Sequence, residues 1–141
     1  MKFWDSSGIV PLLIEESRTA CSEDILKEDS SMVVWWATEI ECHSALCRKL
    51  RTQEMTLKEF KLASEILLEL SKAWIVIRPV ESLITQCKRI LRVHSLRAAD
   101  AFQLAAALEF CARRPSSLGF VSGDVNLLAS ADAEGFVCWK V

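Results

Sequence analysis

Tyrosine is missing from this chain of 141 residues, which also holds only two histidines, three prolines and four glycines. So little proline and glycine excludes a collagen-like or low-complexity organisation. Six cysteines are present, but none forms a Cys-x-x-Cys pair, and with two histidines the usual zinc-ligand patterns are excluded. No apolar run approaches the ~20 residues that cross a bilayer. The short stretch Gly8 to Ile14, preceded by Asp5, does not read as a secretory signal. Neither charge dominates. A net charge of −2 leaves no global basic signature, so any nucleic-acid contact must come from local patches.

What is abundant is apolar side chain, 51% of residues against 26% charged. That balance describes one compact domain spanning residues 1–141. A chain of this size buries about two-thirds of its unfolded surface and needs no disulfide to fold. Most of the cysteines therefore read as small buried hydrophobes, with reduced thiols, which suits a cytoplasmic setting.

Short apolar segments alternate with helical patterns. Residues 2–5, 32–36, 74–77, 118–121 and 136–139 read as strands, and Met32-Val33-Val34-Trp35-Trp36 is apolar throughout, as in a strand buried on both faces. Between them, helices are expected over Ile9–Ile14 (with Pro11 in the first turn), 18–28, 38–50, 56–72, 81–93, 97–111 and 126–133. Thr38 with Glu41, and Thr56 with Glu59, have the spacing of capping boxes, and Ser95 stands where a cap for the 97–111 helix is expected. The alternation predicts a three-layer α/β/α, Rossmann-like fold around a mainly parallel sheet of four to five strands. Ligands in such sheets bind beyond the carboxyl ends of the strands.

Four acids fall at those positions or at helix starts: Asp5, Glu41, Asp100 and Asp124. Each has an ordinary alternative, as a helix cap or a charge complementing a helix dipole. Taken together, carboxylates gathered at one sheet edge repel one another unless a divalent cation neutralises them, so they read as a metal site. Glu41 is preferred over Glu39 because it shares a helix face with Ser44, Ala45 and Arg48. Asp100 opens an otherwise apolar helix whose other polar residues, to Cys111, are Gln103 and Glu109. Asp132 competes with Asp124 from the far end of its helix. Oxygen donors without cysteine or histidine suit Mg2+ or Mn2+.

Four segments carry a resemblance: Phe3-Trp4-Asp5-Ser6-Ser7, Thr38 to Leu46, Leu96 to Ala105, and Val121-Ser122-Gly123-Asp124 followed by Leu127 and Glu134-Gly135-Phe136. With these the chain resembles the PIN-domain family, most closely the toxin ribonucleases of VapBC toxin–antitoxin modules, over nearly its whole length. The resemblance implies a Mg2+- or Mn2+-dependent endoribonuclease whose four acids are Asp5, Glu41, Asp100 and Asp124, with supporting hydroxyls at Ser7 and Ser122. It also implies an RNA substrate, a cognate antitoxin and a homodimer, with no membrane association.

An acidic pocket repels RNA, so cations must flank it. Arg48 and Arg97 are the preferred phosphate contacts among a set that includes Lys49, Arg51, Lys88, Arg89 and Arg92. His43 and His94 are set aside as general acids or bases, and Trp4, Trp35 and Trp36 are assigned to the core. Residues Ile9 to Ile14 with Ile25 and Leu26 are candidates for an antitoxin groove. The competing readings are a non-catalytic RNA-binding or scaffolding PIN-type domain, a receiver-like signalling domain and a Mg2+-dependent phosphatase. The receiver reading lacks its lysine after a late strand, and the phosphatase reading lacks a second aspartate two residues after Asp5, where Ser7 stands.

Overall fold

The computed structural model describes residues 1–141, as five strands and seven α-helices. In chain order these are β1 (Lys2–Trp4), α1 (Ser6–Leu13), α2 (Thr19–Glu28), β2 (Met32–Trp35), α3 (Thr38–Arg51) and α4 (Leu57–Ser71). There follow β3 (Ile75–Ile77), α5 (Glu81–Val93), α6 (Ala98–Phe110), β4 (Gly119–Ser122), α7 (Val125–Ala133) and β5 (Val137–Lys140). The strands form one sheet in the order β3-β2-β1-β4-β5, with every pairing parallel.

Parallel neighbours require crossovers, and the crossovers place helices on both faces. Side chains alternate accordingly. Phe3, Val33, Trp35 and Phe120 enter one core with α5, α6 and α7, while Trp4, Met32, Val34 and Val121 enter a second with helices α1 to α4. Each such side chain contributes roughly 1.5–3 kcal/mol on burial. Because the chain leaves β1 to one side for β2 and returns on its other side as β4, the crevice beyond the ends of β1, β2 and β4 is the topological switch point.

Several local expectations are corrected. Trp36 lies one residue past β2 and is 55% exposed, so it is not a core residue, whereas Trp4 and Trp35 are buried. Thr38 is the first residue of α3 rather than its cap: the cap position is Ala37, and the Thr38 side chain turns inward to Gln103. The expected Thr38–Glu41 capping box is therefore absent. The Thr56–Glu59 box is present, with the Thr56 hydroxyl accepting from Glu59 N and the Glu59 carboxylate accepting from Thr56 N. Ser95 does not cap α6, whose cap position is Arg97. Helix α1 begins at Ser6, so Pro11 falls in its second turn rather than its first. Lacking an N–H, it cannot bond the Ser7 carbonyl in the usual i→i−4 manner.

Candidate active site

Asp5 follows β1 directly and is 5% exposed. Its Oδ1 accepts from Ser7 N at 3.1 Å, capping α1, and from Ser6 Oγ at 3.2 Å. Its Oδ2 accepts short hydrogen bonds from the hydroxyls of Ser7 and Ser122. Those two hydroxyls lie 3.1 Å apart and accept in turn from Gly123 N (2.8 Å, to Ser7) and Asp124 N (2.9 Å, to Ser122). The end of β1 is thus tied to the end of β4 through a buried polar network, worth more intact than as separate bonds.

Asp124 is exposed and caps α7, its Oδ1 accepting from Asn126 N and Leu127 N at 2.8 and 2.9 Å. Asp132 is exposed at the other end of that helix. Glu39 is exposed, whereas Glu41 is half-buried and accepts from Gln103 Nε2 at 2.6 Å. Asp100 sits in the first turn of α6, also half-buried.

The charges feel one another. Burial pushes the Glu41 carboxyl above its ordinary value, against the pull of Gln103 and Ser6, with Asp5 and Asp100 adding repulsion. Burial likewise raises Asp100, with Asp124 and then Asp5 adding to the rise while the Arg97 backbone and side chain oppose it. The repulsion runs from Glu41 to Asp5 and Asp100, and from Asp100 to Asp5 and Asp124, so Asp124 joins the set through Asp100 alone. The four acids are not drawn together, however: no three His, Cys, Asp or Glu side chains stand close enough to grip one ion. Asp5 accepts from serine hydroxyls on both oxygens, and Glu41 and Asp124 each accept from protein donors on one.

Oxygen is the available donor. Cys42, behind Glu41, is buried, and burial together with the charges of Asp5, Glu41 and Glu39 pushes its thiol far up. A protonated thiol is no metal ligand. The set Asp5, Glu41, Asp100 and Asp124 thus fits a hard cation such as Mg2+ or Mn2+ in its donor chemistry.

The cations divide into two groups. Arg48 and Arg97 are exposed and appear in no ion pair. Lys49 pairs with Glu16 and Glu54. Arg89 makes a two-pronged bond to Glu134 at 2.9 and 2.7 Å, and His94 Nε2 lies 2.7 Å from the same carboxylate. Those bonds, Arg89 first, hold the Glu134 carboxyl below its ordinary value. Arg89 and His94 therefore tie α5 to the end of α7 and do not serve the crevice.

Two residues that sequence reasoning did not single out belong to the site. Gln103, one turn beyond Asp100, holds Glu41; its signal was a lone amide in an apolar helix. Arg18 binds Glu16 through Nε and Nη2, and its Nη1 packs on Gly123 so closely that a Cβ there would lie 2.2 Å away. Gly123 thus leaves room for a guanidinium beside the Ser7–Ser122 network. A groove of about 790 Å³ runs between the end of α1, the start of α2 and α4, its apolar lining including Pro11, Leu12, Met55, Leu62 and Ile66. Of the residues expected there, Pro11 to Ile14 line it, whereas Ile9, Val10 and Ile25 are buried in the core and Leu26 lies outside the lining.

No family model and no curated protein matches the sequence. Solved structures do match. The VapC20 toxin of Mycobacterium tuberculosis, described as cleaving the sarcin-ricin loop, superposes with a TM-score of 0.70 at 16% identity, over 97% of each chain. FitAcB of Neisseria gonorrhoeae gives 0.69 at 16% identity over 99% of this chain and 97% of its own. PAE2754 of Pyrobaculum aerophilum gives 0.64 at 20% identity over 97% and 87%. Identity this low carries the architecture and nothing finer: the chain shares the fold of these three structures, the VapC20 toxin among them.

Proposed function

We propose that this protein is a Mg2+- or Mn2+-dependent endoribonuclease, the toxin of a type II toxin–antitoxin module. The observation that carries the reading is the buried Asp5, braced by Ser7 and Ser122 at the switch point, with Glu41, Asp100 and Asp124 electrostatically linked around it. The toxin VapC20, of the same fold, cleaves the sarcin-ricin loop, which makes RNA the substrate class to test. Asp5 and Asp100 would hold the principal cation, and Glu41 and Asp124 would complete the site. Such an ion supplies a water activated at neutral pH and charge neutralisation on the phosphate.

The chain's own residues do the rest. Ser7 and Ser122 hold Asp5 in one rotamer. Arg48 and Arg97, exposed and unpaired, attract the phosphate backbone, and Arg18, paired with Glu16 through Nε and Nη2, turns Nη1 toward Gly123. As antitoxin site we assign the groove beside α1 and α4. Its rim carries Glu15, Glu16, Glu23, Glu54 and Glu59 against Lys49 alone, so it suits an apolar segment with basic flanks. A homodimer completes the reading, checked by sedimentation.

The deciding experiment is cleavage of total RNA by purified protein with Mg2+ or Mn2+. Activity should vanish in EDTA and in Asp5→Asn and Asp100→Asn variants that keep the wild-type circular dichroism. Undiminished cleavage in EDTA would remove the metal from the reading. Full activity in either variant would remove that ligand.

A further inference from the structure

Trp36 stands in solvent at the sheet edge that carries the acids. It lies one residue past β2, and its N–H donates to the Ile77 carbonyl at 3.0 Å, so its backbone is fixed as a continuation of the β2–β3 ladder. A single exposed apolar side chain means little by itself. The setting of this one means more. Its ring meets Trp35 edge to face, with centroids 6.5 Å apart and planes at 72°. Trp35 in turn stacks on Phe102, with centroids 5.6 Å apart and planes at 2°. Phe102 is two residues beyond Asp100 on α6. A row of three aromatic rings thus runs from the helix that bears Asp100 out to solvent. An edge-to-face pair covers at most one face of either ring, so Trp35 leaves at least one indole face of Trp36 uncovered. A cation stands beside it. Trp35 pairs with Ile77 in the sheet register, so Trp36 and Arg78 each follow their strand by one residue, side by side. Arg78 is exposed and enters no ion pair.

We propose that Trp36 and Arg78 form a subsite for one nucleotide of single-stranded RNA, its base stacked on the indole and a neighbouring phosphate on the guanidinium. The proposal rests on the ribonuclease reading above and specifies the form of RNA that the crevice receives. Unpaired bases can splay out and stack on an aromatic side chain, whereas the bases of a duplex keep their faces inside the helix. Every base has such a face, so the platform tolerates any sequence while favouring loops and single strands over duplex. Because Trp35 and Phe102 back the ring, the platform is ordered before RNA arrives, which lowers the cost of binding.

The test is binding of a short labelled single-stranded RNA, and of the duplex it forms with its complement, to the full chain by fluorescence anisotropy. The parent protein carries Asp5→Asn and the buffer EDTA, so that the strand stays whole. The parent should bind single strand more tightly than duplex. Trp36→Leu, apolar but without a ring, should weaken single-strand binding by about tenfold, within the range of one base–aromatic stack, and leave duplex binding and the salt slope unchanged. Trp36→Phe, which keeps a ring, should retain most of the affinity. Arg78→Ala should lower the salt slope by about one. Single-strand binding by Trp36→Leu equal to the parent's overturns the stacking role, and the ribonuclease reading stands if wild type still cuts RNA. Ile40, 70% exposed at the start of α3, offers the same edge to an apolar partner. If Trp36→Leu sediments as a smaller species than the parent, a second copy of the chain covers this face and the proposal falls. A parent that binds neither RNA overturns the proposal, and a wild type that also fails to cut RNA takes the ribonuclease reading with it.

Discussion

Glu39 lies in solvent, whereas Glu41, two residues on, is half-buried and held by Gln103. Glu39→Gln should leave RNA cleavage within about twofold, because a solvated charge on an exposed helix face contributes little. Glu41→Gln should cost on the order of a hundredfold, the scale of losing one preorganised charge in a site. A nuclease assay on the two purified variants checks the contrast, and the reverse order would move the ligand to Glu39. Gly123 allows a second test at this scale. A methyl group there would meet Arg18 Nη1, the end of a flexible side chain, and press on the Ser7 carbonyl at 3.2 Å, so Gly123→Ala should displace the guanidinium. In an inactive Asp5→Asn background, both Gly123→Ala and Arg18→Ala should weaken RNA binding and lower the salt slope by about one. Filter binding across a salt series reads it. The acids were legible from sequence because a carboxylate where an apolar segment ends is conspicuous. Arg18 was not, since its contact with Gly123 is made only by the fold.

At the scale of elements, apolar runs and capping residues located every strand and helix to within a few residues. The missed capping box at Thr38 has a clear cause, which is that tertiary partners outcompete local ones. Thr38 and Glu41 have capping-box spacing, yet both side chains turn to Gln103 across the interface with α6. Thr56 and Glu59, exposed and without such a competitor, form the box. Trp36 matched a buried strand by composition but falls beyond the last residue of β2. Asp124 combines both roles, capping α7 and facing Asp100. The two roles separate by mutation. Asparagine caps a helix about as well as aspartate, so Asp124→Asn should unfold at nearly the wild-type denaturant concentration and yet cleave RNA poorly. Asp124→Ala should lose the cap as well, at about 1 kcal/mol. Equal stability of the two variants in urea would mean the cap contributes nothing.

Across the whole molecule, the crevice is a place where ionised carboxylates cost stability. Glu41 and Asp100 have ordinary values of 4.5 and 3.8, and both are raised in the folded protein. The folded state then holds its protons more tightly than the unfolded chain. Below about pH 4 both states are protonated and folding bears no penalty. As pH climbs from there through the folded values, the unfolded chain ionises first and stability falls. Neutralising one of the pair should therefore stabilise the fold where the wild type is ionised. Asp100→Asn should melt higher than wild type at pH 7, and the difference should close near pH 4. A dication that binds the acids should relieve the same repulsion. Saturating Mn2+ should raise the wild-type melting temperature at pH 7, by the equivalent of about 2.7 kcal/mol at a hundredfold excess over Kd, and should raise Asp100→Asn less. Thermal melts of both proteins at the two pH values, with and without Mn2+, make the comparison. A gain in Asp100→Asn that is equally large at pH 4 would show that packing, not charge, separates the variants, and the crevice would lose its electrostatic character.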